Sequence, residues 1–114
     1  MIFHITTRSH WQQAQSLGEY RAPSLDTEGF IHCSKADQVV WVANQFYQNS
    51  PELVLLCIDP NRLTAKLCYD AIETGDYFPH LYGALNLDAV TQAIAFPPLS
   101  DGTFALPTGV SDSP

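Results

Sequence analysis

Apolar and polar residues alternate from Ile2 to Thr6, placing Ile2, His4 and Thr6 on one face and Phe3 and Ile5 on the other. That period of two predicts a first strand. The pattern then changes. Ser9 and Gln12 have the spacing of a capping box, with Thr7 as the other candidate cap. Trp11, Ala14 and Leu17 form a stripe at helical spacing, and Gly18 is a natural stop. The stretch from Glu19 to Glu28 contains Pro23 and several polar residues and reads as a surface loop. Phe30 to Cys33 predicts a short strand. Ser34 and Asp37 then form a second capping box, opening a helix over Lys35 to Gln48 that carries Val39, Val40, Ala43 and Phe46 or Tyr47 on one side.

The second half is richer in strands. Leu53 to Ile58 is an unbroken apolar run between turn residues, as expected of a central strand buried on both faces. Asp59 to Asn61 predicts a turn, Ala65 to Ile72 a strand, Asn86 to Ala89 one helical turn, and Thr91 to Phe96 a further strand. Asp101 and Gly102 predict a hairpin turn between Leu99 and Phe104. The fold class expected is α+β, with two helices in the N-terminal half and a mainly antiparallel sheet. One domain is expected over residues 1–107, followed by a frayed polar tail at 108–114.

Composition narrows the function. With 114 residues, 46% apolar and 15% charged, the chain can build a core without staples. No apolar run approaches the ~18 residues of a membrane span. The beginning has neither the basic stretch nor the long apolar run of a signal peptide, so a cytoplasmic protein away from membranes is expected. Three cysteines, Cys33, Cys57 and Cys68, form no CxxC pair and predict free thiols in a reducing compartment. The net charge of −7, with five scattered Lys and Arg against twelve acidic residues, argues against nucleic acid as a partner.

The candidate chemistry is imidazole. His4, His32 and His80 each lie in a segment that reads as a strand or strand end, with Thr6, Ser34 and Tyr82 nearby. A histidine leaving a core segment needs hydrogen-bond partners or a task, and imidazole is readily tuned near neutral pH. The alternative for each is a half-buried ring satisfied by a backbone carbonyl. The spacing offers no HExxH and no histidine pair within one helical turn, so no metal ligands are assigned. There is no GxGxxG and no P-loop. Cys33 points away from its neighbour His32 in a strand, and it and Cys57 are expected in the core. Glu73 and Asp76 read as a solvated rim, and Asp70 is left open.

Four segments together resemble a bacterial family called domain of unknown function 952. They are Phe3 to Thr7, Tyr20 to Leu25, Glu28 to Ser34 and Phe78 to Leu85. The resemblance implies an ADP-ribosyltransferase-like fold, a split and curved β-sheet around a cleft that holds NAD in active relatives. By this likeness His4 would contact a ribose, His32 would stack on nicotinamide with Ser34 beside it, and His80 with Tyr82 would supply the third catalytic element. Thr6 would add a hydrogen bond and Arg21 would meet a phosphate. The glutamate of classical transferases of that fold has no counterpart in that element, where His80 stands with Asp70 or Glu73 nearby. The resemblance thus implies an NAD-using or ADP-ribose-handling enzyme, a transferase or glycohydrolase. The rival expectations are a non-catalytic module binding a nucleotide-like small molecule, and a metal-dependent hydrolase. The sequence is silent on the oligomeric state.

Overall fold

The computed structural model describes residues 1–48, 50, 52–108 and 110. Eight strands and three α-helices follow in the order β1 (Ile2–Thr7), α1 (Arg8–Leu17), β2 (Glu19–Tyr20), α2 (Pro23–Glu28), β3 (Ile31–His32), α3 (Val39–Phe46), β4 (Leu53–Ile58), β5 (Lys66–Ala71), β6 (Tyr77–Tyr82), β7 (Leu85–Asn86) and β8 (Val90–Ala95). All paired strands are antiparallel. They form one sheet of order β1-β4-β8, another of order β3-β6-β5, and a short β2-β7 ribbon. The two larger sheets meet at a single bridge, where Phe3 and Ser34 exchange backbone hydrogen bonds of 2.8 and 2.7 Å.

β4 is buried at every position because both its faces are covered. On one side, Ile2 of β1 and Val54, Leu56 and Ile58 of β4 pack with Tyr20, Ile31 and Leu81, which joins the two sheets through one core. On the other, Phe3 and Ile5 with Leu53, Leu55 and Cys57 meet Val39 and Ala43 of α3 and the rings of Phe96 and Phe104. The alternation along β1 therefore serves two cores, and the His4 face is the one turned toward Tyr20.

Several expectations need correction. Glu19 to Glu28 is not a loop: β2 pairs with β7, and Pro23 opens α2 at a position where its missing N–H costs nothing. The N-terminal half thus holds three helices rather than two. The predicted Lys35–Gln48 helix is shorter, Val39–Phe46, and its N-cap is Gln38 with no side-chain cap bond, so the Ser34–Asp37 capping box is not formed. On α1 the cap is Thr7, whose hydroxyl accepts from the His10 N–H, and Gly18 ends the helix in the left-handed region at φ 90°. Leu17, assigned to the apolar stripe, is exposed. The Asp101–Gly102 turn forms, with Thr103 accepting from the Leu99 N–H at 2.7 Å, but neither flank is a strand. Of the proposed tail, Gly109 and residues 111–114 lie outside the described residues, as do Asn49 and Pro51 elsewhere in the chain. Among the described residues no helix is long and apolar enough to cross a membrane.

Candidate functional site

Where the two sheets part, a cleft of about 860 Å³ opens between β1, β3, β6, α2 and α3. All four histidines of the chain line it. They do so in different ways.

His4 is buried on β1 and both its ring nitrogens are engaged. Nδ1 lies 2.6 Å from the His32 carbonyl, and Nε2 lies 2.7 Å from the Tyr20 hydroxyl. A carbonyl can only accept, so Nδ1 carries the proton and Nε2 is an acceptor for the phenol. Thr6 Oγ1, 3.1 Å from the same phenol oxygen, closes the chain. Burial pulls the His4 pKa down to about 4, against the opposing pull of the carbonyl, which keeps the ring neutral. Burial likewise pushes Tyr20 up to about 12. His4, expected as a catalytic group, has both ring nitrogens engaged: Nδ1 ties the backbone of His32 to β1, and Nε2 meets the Tyr20 phenol, which Thr6 also contacts.

His32 and His80 form a directly opposed pair on β3 and β6, which puts both rings on one face. Their centroids are 5.4 Å apart and nearly perpendicular. His80 is buried, yet its Nδ1 sits 2.8 Å from Asp70 Oδ2 on the neighbouring β5. Asp70 stands opposite Phe78 in the β5–β6 register, one pair along the same face from His80. Tyr82 donates to that carboxylate oxygen as well. This phenol bond, followed by the one from His80, holds the Asp70 carboxyl below its ordinary value, and in return Tyr82 is raised to about 12. The His80 Nε2 has no protein partner among the described residues, and no unpaired side-chain nitrogen is buried there, so Nε2 is open to the cleft. Phe30 stacks on the His80 ring at 4.0 Å and 20°.

His32 is half-exposed, with Nε2 2.9 Å from Glu28 Oε2. Glu28 is the last residue of α2, and Gly29 at φ 87° turns the chain so that this carboxylate returns over His32. Sequence reasoning missed Glu28, although its place four residues before His32 was visible. It also missed His10, which lines the cleft from α1 and packs against Tyr20 with centroids 4.9 Å apart and rings tilted by 47°. Ser34 is buried and lines the cleft as expected. Tyr82 acts through Asp70 rather than as a lining group. Arg21 does not line the cleft; it is exposed and pairs with Asp26 at 3.4 Å and Glu19 at 3.8 Å. Among the described residues no Lys or Arg lines the cleft at all. Cys33 is buried with its thiol pushed up to about 12 by desolvation, which makes it inert, and Cys57 is buried in the other core. Glu73 is exposed in the β5–β6 turn, away from the pair.

The geometry is that of two carboxylate–imidazole pairs facing one cleft, Asp70–His80 and Glu28–His32. Comparisons place the chain among relatives. Residues 5–93 match the family described as Protein of unknown function (DUF952). The chain belongs to that family. The X-ray crystal structure of protein CC0527 from Caulobacter crescentus is 30% identical and superposes with a TM-score of 0.85, covering 91% of this chain and 92% of that one. The solution NMR structure of CC0527 is also 30% identical, with a TM-score of 0.79 over 90% of this chain and 89% of that one. No curated protein matches the chain. This DUF952 domain therefore shares a small α+β fold of mostly antiparallel sheets with CC0527.

Proposed function

We propose that the cleft is the active site of an enzyme acting on a ribosyl ligand of the NAD class, held through its nicotinamide riboside half. The observation that carries this reading is the Asp70–His80 pair, with Nδ1 anchored on the carboxylate and Nε2 open to the cleft beside Phe30. A neutral histidine whose Nδ1–H is held in this way presents a lone pair at Nε2, the arrangement of a general base. In the reaction, Nε2 takes a proton from water or an acceptor hydroxyl as that oxygen bonds to the anomeric carbon of the ribose. The carbon–nitrogen bond to nicotinamide breaks, and its electron pair leaves with the base. Asp70 stabilises the imidazolium until the proton passes to solvent. Glu28 supplies the carboxylate that the β6 element lacks: poised over His32, it can hold a ribose hydroxyl and favour positive charge at the sugar.

An ADP-ribosyltransferase-like arrangement is consistent with the divided antiparallel sheet around the cleft. The absence of Lys and Arg from the described lining argues that the diphosphate of a dinucleotide lies outside, toward solvent. Thermal melts with nicotinamide riboside, NAD and ADP-ribose test the reading. A ligand at a hundredfold excess over its dissociation constant stabilises the native state by ~2.7 kcal/mol. The expected result is a rise in melting temperature with nicotinamide riboside and NAD that His80→Gln removes. No rise with any of the three contradicts the proposal, and a rise without any release of nicotinamide favours the binding module instead.

A further inference from the structure

The histidines are not the whole of the cleft lining. Along β6, Phe78 lies two residues before His80 on the same face, about 7 Å away by strand geometry, and it too lines the cleft. Trp41 of α3 packs against Phe78 with centroids 6.4 Å apart and an interplanar angle of 47°. Phe46 meets Trp41 edge to face at 6.4 Å and 82°. α3 buries Val39 and Ala43 against the core, which leaves Trp41 and Phe46 to the cleft side. They remain 48% and 72% exposed, although aromatic rings of this size are ordinarily buried in a protein that has them to spare. Apolar rings next to a polar, hydrogen-bonding end are the construction of a two-part ligand site.

We infer that Trp41, Phe46 and Phe78 form a second subsite of the cleft, which takes a flat, uncharged aromatic group carried by the ligand whose polar end meets His32 and His80. Resting on the reading above, this inference adds a specificity element elsewhere in the same site. Three features select that occupant. Edge-to-face and tilted rings leave faces and edges that favour an aromatic partner over an alkyl chain. No Lys or Arg among the described lining residues would greet an anion. The cleft volume suits a ligand longer than one ring, so the polar end alone leaves much of it unfilled.

The test uses the whole protein and the uncharged aromatic dye N-phenyl-1-naphthylamine, whose emission rises in an apolar site. The expected result is saturable binding of one dye per chain, weakened at least about tenfold in the Trp41→Ala, Phe46→Ala double variant and unchanged in Leu99→Ala, an exposed apolar residue outside the cleft lining. Both replaced rings are largely exposed, and circular dichroism and melting temperature verify that the variant folds. 2-Naphthol should displace the dye more readily than 1-octanol. Equal dye affinity in the double variant, or octanol competing as well as naphthol, would overturn the inference. So would sedimentation showing that the parent forms a dimer which the double variant loses, since a second copy would then be the occupant. Dye binding that needs Trp41 and Phe46 in a protein that never releases nicotinamide upholds the subsite while removing the proposed reaction.

Discussion

His4 shows how a residue singled out in sequence can be held by its neighbours in space. Its ring bridges the His32 carbonyl and the Tyr20 phenol, so each nitrogen already has a fixed task. The energetic consequence is a pH dependence of known sign. Burial lowers its pKa from 6.5 to about 4 in the folded state, so between those values the unfolded chain binds a proton that the folded chain refuses. Stability contributed by neutral His4 is therefore full above pH 6.5 and is lost as pH falls through that window. At 1.36 kcal/mol per unit, the loss is on the order of 3 kcal/mol. Asp70 acts in a different window: its folded pKa is depressed below 3.8, so its contribution is present above that value and fades only below it. Urea unfolding of the parent at pH 7 and pH 4.5 should show a clear fall in stability. His4→Asn, whose amide N–H can replace Nδ1, should start less stable and show a much shallower fall. Equal pH slopes in the two proteins would contradict this account of His4.

At the scale of elements, what the sequence disclosed depended on how many faces of an element are buried. β4 was read at its observed bounds because burial on both sides demands an unbroken apolar run. β1 was legible from alternation, and β5 from the turn that precedes it. α2 was not, because its six residues bury no side chain and carry no apolar stripe; only Pro23 and Gly29 mark its ends. The Ser34–Asp37 signal misled because residues 36–38 form a turn, in which the Gln38 N–H donates to the Lys35 carbonyl and the Gln38 side-chain oxygen accepts from the Lys35 N–H, so α3 begins only at Val39. The β6–β7 junction carries its own prediction. Gly83 has φ 155°, and a Cβ there would meet the Ala65 Cβ at 2.7 Å. Overpacking of this kind costs ~1–3 kcal/mol, so Gly83→Ala should lower stability by about that amount. Gly18→Ala, where a Cβ meets nothing within 4 Å, should cost less, because only the strained backbone opposes it. Chemical denaturation of the two variants decides the order; a milder effect at Gly83 than at Gly18 would contradict the packing described for that junction.

For the molecule as a whole, the sheets part around a cleft whose two carboxylate–imidazole pairs are supplied by four different elements, α2, β3, β5 and β6. That is why the candidate site was only partly legible. The sequence showed three histidines, His4, His32 and His80, in strand-like segments with Thr6, Ser34 and Tyr82 nearby. It could not show that His32 and His80 are cross-strand partners, nor that Asp70 of β5 and Glu28 of α2 reach them, because both contacts depend on register and on the turn at Gly29. The resemblance assigns Arg21 to a phosphate; in the structure it pairs with Glu19 and Asp26 instead, outside the cleft lining. The net charge of −7 and a described cleft lining without Lys or Arg both favour an uncharged or cationic group inside, consistent with a ribosylated base.

The central claim is that Asp70 makes His80 a base toward a ligand in this cleft. Its most direct test is the rate of nicotinamide release from nicotinamide riboside by the parent and by Asp70→Asn, with folding checked by melting temperature. General-base assistance of this kind is worth ~10²–10⁴-fold. The account predicts turnover by the parent and a loss of at least about a hundredfold in a folded Asp70→Asn protein. Release that is absent from the parent, or equal in the two proteins, would contradict it.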